Sequence, residues 1–426
     1  MEIPTHMTGI LGSLGTDSLK QIGSQVFTIR AIFIGLAVLL LVLVRRRYSS
    51  IYRIPGPFGA SLSRLWHVRQ IIRVDQNLRL VEQHDKHEVS VSHPDGIKKL
   101  LLAPVPKGDW YKVFCFPDYR YIAPIAGTYA ESHEGMELDK FFTYVAFDIT
   151  GEMLFSKPFG FLDKGEDVCG AIAMNVGLEV YLAIFGFYRW VHWLVANPLV
   201  TWTQLVPMGH LFHTANSALS ERQKNPDARF DVAAHWFRGL ARAEKENSPH
   251  FNLRALQAAA SSNVGAGSDT VSCGLQSFVY HMIRHPGEWQ RVRDEIDAAH
   301  KLGRCGQRVV LYEDASQLPY LQACIKEALR IFCPVPMGLP RLAPKGGITI
   351  GDQFFSEGVT LTISPFWGMG YASCPGQHIA RVQLTKITAT VVRDYDIRQV
   401  DPKQEWTWSA YFTVVPHDWP VYISKR

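Results

Sequence analysis

The 426-residue chain lacks the marks of several large protein classes. Its seven cysteines, at positions 115, 169, 273, 305, 324, 333 and 374, are odd in number, scattered and never spaced Cys-x-x-Cys. That argues against a disulfide framework or a zinc ribbon and fits a reducing compartment. Basic runs are missing outside Arg45-Arg46-Arg47, and a net charge of +5 is mild for this length, which disfavours nucleic acid as a partner. A dinucleotide loop is also missing. Gly368-Met369-Gly370 has no third glycine in place, and Cys374-Pro375 occupies the turn. His281 and His285 are four apart but lack the intervening glutamate of a metalloprotease helix, and His210 and His213 have no ligand partners nearby. Nor does the composition suggest disorder: 47% of residues are hydrophobic and 19% charged, enough for a large core in one or two domains.

What is present begins with an apolar run from Val26 to Val44, interrupted only by Thr28 and Arg30 in its first turn. At 1.5 Å per residue it spans roughly 28 Å, about a thin bilayer core, with Arg30 able to snorkel to the near interface. The three arginines follow the run directly, so the positive-inside rule leaves the bulk of the chain in the cytosol. A cleaved signal peptide would carry its basic cluster before the run and a small-residue site after it, and this chain has neither. Ile54-Pro55-Gly56-Pro57 then makes a stiff turn. The expected organisation is a lumenal N-terminus (1–25), a transmembrane anchor (26–44), a basic and proline-rich hinge (45–60) and a catalytic body (61–426). The body is held on the cytosolic face of the endoplasmic reticulum membrane by a single pass. A second apolar stretch, Tyr181 to Leu194, contains Gly186, Arg189 and His192 and is rich in aromatics. It reads equally as a surface that dips into lipid and as an ordinary buried helix.

Leu253 to Arg284 predicts one helix of about thirty residues, roughly 45 Å long, closed by Pro286. Its middle, Gly265-Ala266-Gly267-Ser268-Asp269-Thr270, is poor helix material, since each glycine costs about 1 kcal/mol relative to alanine. We expect the helix to open locally there. A hydroxyl and a carboxylate beside such a gap have a use: Thr270 to hydrogen-bond bound dioxygen, Asp269 to relay protons. Leu318 to Phe332 carries a helical apolar stripe, with Glu327 and Arg330 sharing another face. Two short strands are expected around Ile348–Ile350 and Val359–Ile363, linked through Gly351-Asp352. Then comes Gly368-Met-Gly370-Tyr-Ala-Ser-Cys374-Pro-Gly376, running into a helix with Ala380, Leu384, Ile387 and Val391 on one stripe. A thiolate at a helix N-terminus is favoured by the dipole and free N–H groups, and the glycines let the backbone lie flat against something large and rigid. A soft anionic sulfur facing a flat surface is what an axial ligand of haem iron requires. A cysteine nucleophile is the competing chemistry. His378, four residues on, could be its base, but no orienting partner is evident. Arg381, Lys386 and Arg393 lie off the apolar stripe, either solvated or receiving an acidic electron donor. Trp406 to Ile423 alternates like a hairpin with Pro416–Pro420 at its tip.

The cysteine segment resembles the Phe-Gly-x-Gly-x-Arg-x-Cys-x-Gly loop of the cytochrome P-450 family, the haem-thiolate monooxygenases. Trp367, Gly368, Gly370, Cys374 and Gly376 fill the pattern, with Trp for Phe and Ala372 for Arg. Ala266-Gly267-Ser268-Asp269-Thr270 is similar to the family's oxygen-binding groove at every position, and Glu327 and Arg330 follow Thr270 in the order of its Glu-x-x-Arg core pair. The resemblance implies a mainly α fold with small β-sheets and a haem b cofactor ligated by Cys374. It implies a propionate contact from Arg341, a terminal hairpin edging the substrate pocket, and an NADPH–cytochrome P-450 reductase as donor. It further implies insertion of one atom of dioxygen into an apolar small molecule. Cys374-Pro-Gly-Gln-His-Ile-Ala-Arg381 looks like filamentous-fungal members, many of which serve secondary metabolism, with polyketides, terpenoids or alkaloids as substrates.

Three departures stand against that pattern. Only 43 residues separate Arg330 from Cys374, leaving no room for the meander whose arginine completes the Glu-x-x-Arg triad. An early strand looks cut short near His84–His87. The Trp-x-x-x-Arg helix is missing around Ile122–Tyr129, and Trp110 and Arg120 do not reproduce its spacing. A buried Glu327–Arg330 pair without its third partner would be poorly compensated, and the loss of an arginine at Ala372 falls to Tyr371 to make good in part. The alternative reading is therefore a truncated, inactive, membrane-anchored paralogue or a mis-spliced product that binds haem poorly.

Overall fold

The computed structural model describes residues 35–40, 43–44, 68–69, 72, 84–85, 88–90, 136–195, 209–226, 231–247, 251–363, 367–368 and 373–426. The hinge, Trp110, Arg120, Gly370, Tyr371, Ala372 and most of the anchor lie outside them. Within the anchor, residues 35–40 and 43–44 are helical, and Leu36 and Leu40 are 56% and 63% exposed.

The fold is mainly helical with small sheets. Its axis is the helix Leu253–Ile283 (α7), 31 residues long and so about 46 Å. Asn252 caps it, its side chain accepting the Ala255 N–H at 3.0 Å. Pro286 opens the next helix at its first turn, where a missing N–H is harmless. α7 runs through two apolar cores in succession. Leu256, Ala260 and Val264 pack with Leu138–Phe155 (α1), Phe161–Lys164 (α2), Ala171–Phe185 (α3), Gly209–Gln223 (α5) and Val232–Lys245 (α6). Val271, Leu275, Phe278, Val279 and Met282 pack with the start of α1, Pro286–Lys301 (α8), Tyr312–Ala315 (α9), Pro319–Ile331 (α10) and Gln377–Asp394 (α11). The stretch 265–270 is the junction between the cores.

The short helix Arg189–Val195 (α4) follows α3. The stretch Val168–Phe185 is long and apolar enough to cross a membrane by length and composition. Its Asn175 and Glu179 are buried against α7 and the terminal hairpin, which places it in the folded body. The aromatic stretch 181–194 divides in two. Tyr181, Leu182 and Ala183 are buried, while Trp190, Trp193 and Leu194 are exposed.

The main sheet has the order β1 (His84–Asp85), β2 (Glu88–Ser90), β6 (Thr360–Ile363), β3 (Leu339–Leu342), with β2 and β6 parallel and the other pairs antiparallel. Two expected pairings are corrected. Gly351-Asp352 turns β4 (Ile348–Ile350) onto β5 (Gln353–Phe355), not onto the 359–363 strand, which joins the main sheet. The terminal hairpin is β8 (Thr407–Ala410) with β9 (Val414–His417), so its tip is Tyr411–Thr413 rather than Pro416–Pro420. Proline at 416 has no N–H to donate and sits next to the end of β9, and the chain leaves the hairpin after His417. Residues 421–425 (β10) pair instead with Tyr395–Gln399 (β7).

Candidate active site

Cys374 lies three residues before the first residue of α11, half-buried and free of any disulfide. Its N–H donates to the Trp367 carbonyl at 2.7 Å, and Gln377 N–H donates back to the Cys374 carbonyl at 3.3 Å. The loop that presents the thiol is thus closed on itself. Trp367 and Gly368 turn it through the left-handed region, with φ of 66° and 65°. Glycine takes that conformation without strain, whereas tryptophan does not, and Trp367 is held by packing on the main core with the Arg381 guanidinium 5.9 Å above its ring. A Cβ added to Gly376 would lie 3.8 Å from Cys374 Sγ, so the thiol's surroundings on that side are backbone.

The glycine-rich stretch of α7 does not open. The helix is continuous, and two hydroxyls bond back to its own carbonyls: Ser268 Oγ to Val264 and Thr270 Oγ1 to Ala266, each at 2.7 Å. Gly267 is small for a packing reason. A Cβ there would meet Thr150 Oγ1 of α1 at 3.2 Å and its Cγ2 at 3.3 Å. Gly274 has the same role in the second core, where a Cβ would meet Leu384 of α11 at 3.0 Å and Leu329 of α10 at 3.2 Å. Ala266 is exposed and Thr270 half-exposed on one side of α7.

Asp269 points elsewhere. It is buried, and Asn175 of α3 donates its amide N–H to Asp269 Oδ2. Glu179, one turn further along α3, is hydrogen-bonded to the same carboxyl. It also accepts from the Thr413 hydroxyl and, at 3.3 Å, from the Thr413 N–H at the hairpin tip. Burial pushes Asp269 up to about 6, against the opposing pull of its hydrogen bonds with Glu179 and Asn175. Burial, and then the neighbouring Asp269 charge, push Glu179 well above the usual carboxylate range. Neither Asn175 nor Glu179 was singled out from the sequence. The signal existed: an amide and an acid four apart are the only strongly polar side chains in the apolar run Ala171–Phe185.

Arg341, on β3, is 1% exposed, with Nη1 donating to the Pro340 carbonyl at 2.9 Å. Glu327 and Arg330 bond to each other through two 2.7 Å contacts, yet their side chains are 53% and 71% exposed. The expected buried pair is corrected here to a surface one. Water supplies what a third partner would, so the pair needs no compensation. Glu327→Ala is accordingly expected to leave the thermal midpoint unchanged within error, which differential scanning calorimetry would check. Arg393 is likewise not a docking cation. It bonds Asp394 and the carbonyls of Cys305, Gln307 and Arg308.

The sequence pattern described as Cytochrome P450 matches residues 125–371, more than half of the chain, and stops three residues short of Cys374. A cytochrome P450 monooxygenase of Aspergillus flavus is 25% identical, the alignment covering 87% of this chain and 92% of that protein. Pisatin demethylase of Fusarium vanettenii is 23% identical over 87% and 88%. The monooxygenase pkfB of Emericella nidulans is 27% identical over 68% and 64%. Members of this family hold haem through a cysteine thiolate and draw electrons from a redox partner to oxidise small molecules. The α7 motif, a free cysteine at the mouth of α11 and a mainly helical fold with small sheets agree with that match: the chain belongs to the cytochrome P450 family and is a monooxygenase, an oxidoreductase.

Proposed function

We propose that the chain is a membrane-anchored haem-thiolate monooxygenase that takes electrons from an NADPH–cytochrome P-450 reductase and oxidises an apolar small molecule of fungal secondary metabolism. The observation that carries this is the Cys374 loop: a free, half-buried thiol fixed by its own N–H to Trp367 at the N-terminal end of an 18-residue helix. The residues present fit a haem. A thiolate is the donor, backbone at Gly376 clears its flank, and the buried Arg341 guanidinium offers a cation for a propionate. Haem b bound at Cys374 would supply dioxygen activation. The chain's own contribution is to hold the sulfur in place, to keep the Gly368 and Gly376 backbone close, and to present Ala266 and the Thr270 hydroxyl on one side of α7. Asp269 is the proton relay of that helix, and the Gly267 contact with Thr150 fixes the helix against α1. Glu327 and Arg330 keep α10 soluble beside the site.

The test is a reduced, carbon-monoxide difference spectrum of the full chain in microsomes. A far-red-shifted Soret band supports the reading. Its absence from folded protein rejects it in favour of the inactive paralogue.

The anchor (26–44) and an endoplasmic-reticulum location with the body in the cytosol are included in the proposal, with Trp190 and Trp193 as a second lipid contact. Exposures of 68% and 82% leave the two indoles largely open among the described residues, and tryptophan suits the headgroup region. The double variant Trp190→Ser/Trp193→Ser is expected to lower binding of the body to phosphatidylcholine vesicles about tenfold or more, from the apolar area lost. Sedimentation with vesicles measures it, and unchanged binding would remove α4 from the interface.

A further inference from the structure

Three separate elements meet at one pair of buried carboxyls. Asp269 comes from the middle of α7, Glu179 from α3, and Thr413 from the tip of the β8–β9 hairpin. Glu179 and Asp269 are each 5% exposed and hydrogen-bonded to one another. Two carboxylates cannot share such a bond while both are charged, because neither has a proton to give. One of them keeps a proton, and the surroundings decide which. Asn175 donates its N–H to Asp269, which favours the charged form there. Glu179 receives two donors from Thr413, but it also lies in the field of Asp269.

We propose that Glu179 is a positioning residue that stores a proton for Asp269, and that the pair is the proton store of the monooxygenase reaction. This rests on the reading of Asp269 as a relay given above. The reaction reduces one oxygen atom of dioxygen to water and so consumes two protons, its electrons coming from NADPH through the reductase. For one of these protons, Glu179 passes its proton from Oε to the charged Asp269 Oδ, and Asp269 delivers it towards that oxygen. The Glu179 carboxylate is then reprotonated from solvent. No electron moves within the pair.

Among the described residues, the other ionisable group in the field of the pair is the Cys273 thiol, one turn along α7, which is raised by burial and then by Cys333, Asp269 and Glu179. Burial raises both thiols, so they stay neutral. Asn175 and Thr413 carry no charge. Both carboxyls titrate higher in the folded than in the unfolded chain, so the folded state binds the extra proton. Stability therefore falls as pH rises from the ordinary carboxylate range through the folded values, the Asp269 contribution being lost between 3.8 and about 6.

The experiment compares wild type, Glu179→Gln, Asp269→Asn and the double variant as detergent-solubilised, haem-loaded full chain. Infrared spectra at neutral pH, with and without [13C]glutamate, look for a protonated carboxylic carbonyl. In the reductase-reconstituted system, oxygen and NADPH consumed are balanced against hydrogen peroxide formed, which gives the rate of water formation without a substrate. Wild type is expected to show a glutamate carbonyl that Glu179→Gln lacks. Water formation should fall about tenfold in Glu179→Gln, less than the 10²–10⁴ of a direct proton donor. The same change should have no further effect in the Asp269→Asn background, because one residue acts through the other. A glutamate carbonyl that is missing, or a Glu179→Gln loss that is equal in both backgrounds, overturns the inference. The haem reading fails separately, by loss of the thiolate band in wild type, and the infrared result stands or falls without it.

Discussion

Cys374→Ser is expected to abolish the far-red-shifted Soret band of the reduced, carbon-monoxide-treated chain and, with it, NADPH-dependent oxygen consumption. Serine is nearly isosteric, so the turn closed by the Cys374 N–H and the Trp367 carbonyl has no reason to change. What changes is the donor atom. A thiolate is a soft, polarisable donor, whereas a serine hydroxyl is a hard one. The electron donation that favours O–O cleavage goes with the sulfur. Haem retained in the variant would give an unshifted band, and haem lost would give none. Either outcome supports Cys374 as the ligand. A variant indistinguishable from wild type, band included, would move the ligand to another residue.

Arg222→Ala carries the largest expected effect on stability. The guanidinium grips Asp231 by two contacts, Nε to Oδ2 at 2.6 Å and Nη2 to Oδ1 at 3.0 Å, and Ser156 adds a hydroxyl at 2.7 Å. The side chains are only 10% and 3% exposed. Asp231 also caps α6 by accepting the Ala234 N–H at 2.8 Å. Burial pulls its titration upwards, but the hydrogen bonds from Arg222, Ser156 and Ala234 outweigh it, and the carboxyl sits below its ordinary value. Removing the arginine strands a buried carboxylate, at a cost of about 3–5 kcal/mol. For a chain of this length that corresponds to a thermal midpoint lower by roughly 3–6 °C. The sign of the pH effect follows from the lowered titration. The stabilisation is present above the unfolded-state value and is lost as pH falls through the folded one. The double change Arg222→Met/Asp231→Leu should recover much of the loss. A single variant that melts with wild type would show that the pair is hydrated in solution.

Much of the helical frame was legible because local chemistry sets it. The α7 limits follow from Asn252 and Pro286, and the α10 stripe of Leu321, Ile325, Ala328 and Leu329 is buried as its period predicts. What depends on a distant segment was not legible. The same Glu-x-x-Arg spacing serves a buried pair or an exposed one, and only the chain that packs over it decides. In sequence alone, the glycines of α7 read as a chemical opening. Their neighbours Thr150, Leu329 and Leu384, each far away in sequence, show a helix that must be thin where others cross it. The direction of Asp269 was hidden for the same reason, since its partners are 94 residues upstream at Asn175 and, through Glu179, at the hairpin tip. Hairpin pairing is a question of register, which alternation alone leaves open.

The position of Trp419 bears on how the protein comes into being. Its ring is fully buried, with Nε1–H donating to Gln276 of α7 at 3.1 Å, and Val421 exchanges backbone hydrogen bonds with Met136 at 2.8 and 3.0 Å. A residue near the front of the helical body is thus joined to one made nearly three hundred positions later. Until the ribosome has released that stretch, the larger core has an open seam, with Tyr280 and Trp406 deprived of a neighbour. The nascent chain must therefore wait, apolar surface showing, until Trp419 and Val421 have left the ribosome. Cells short of chaperone capacity should lose this protein during synthesis before they lose it afterwards.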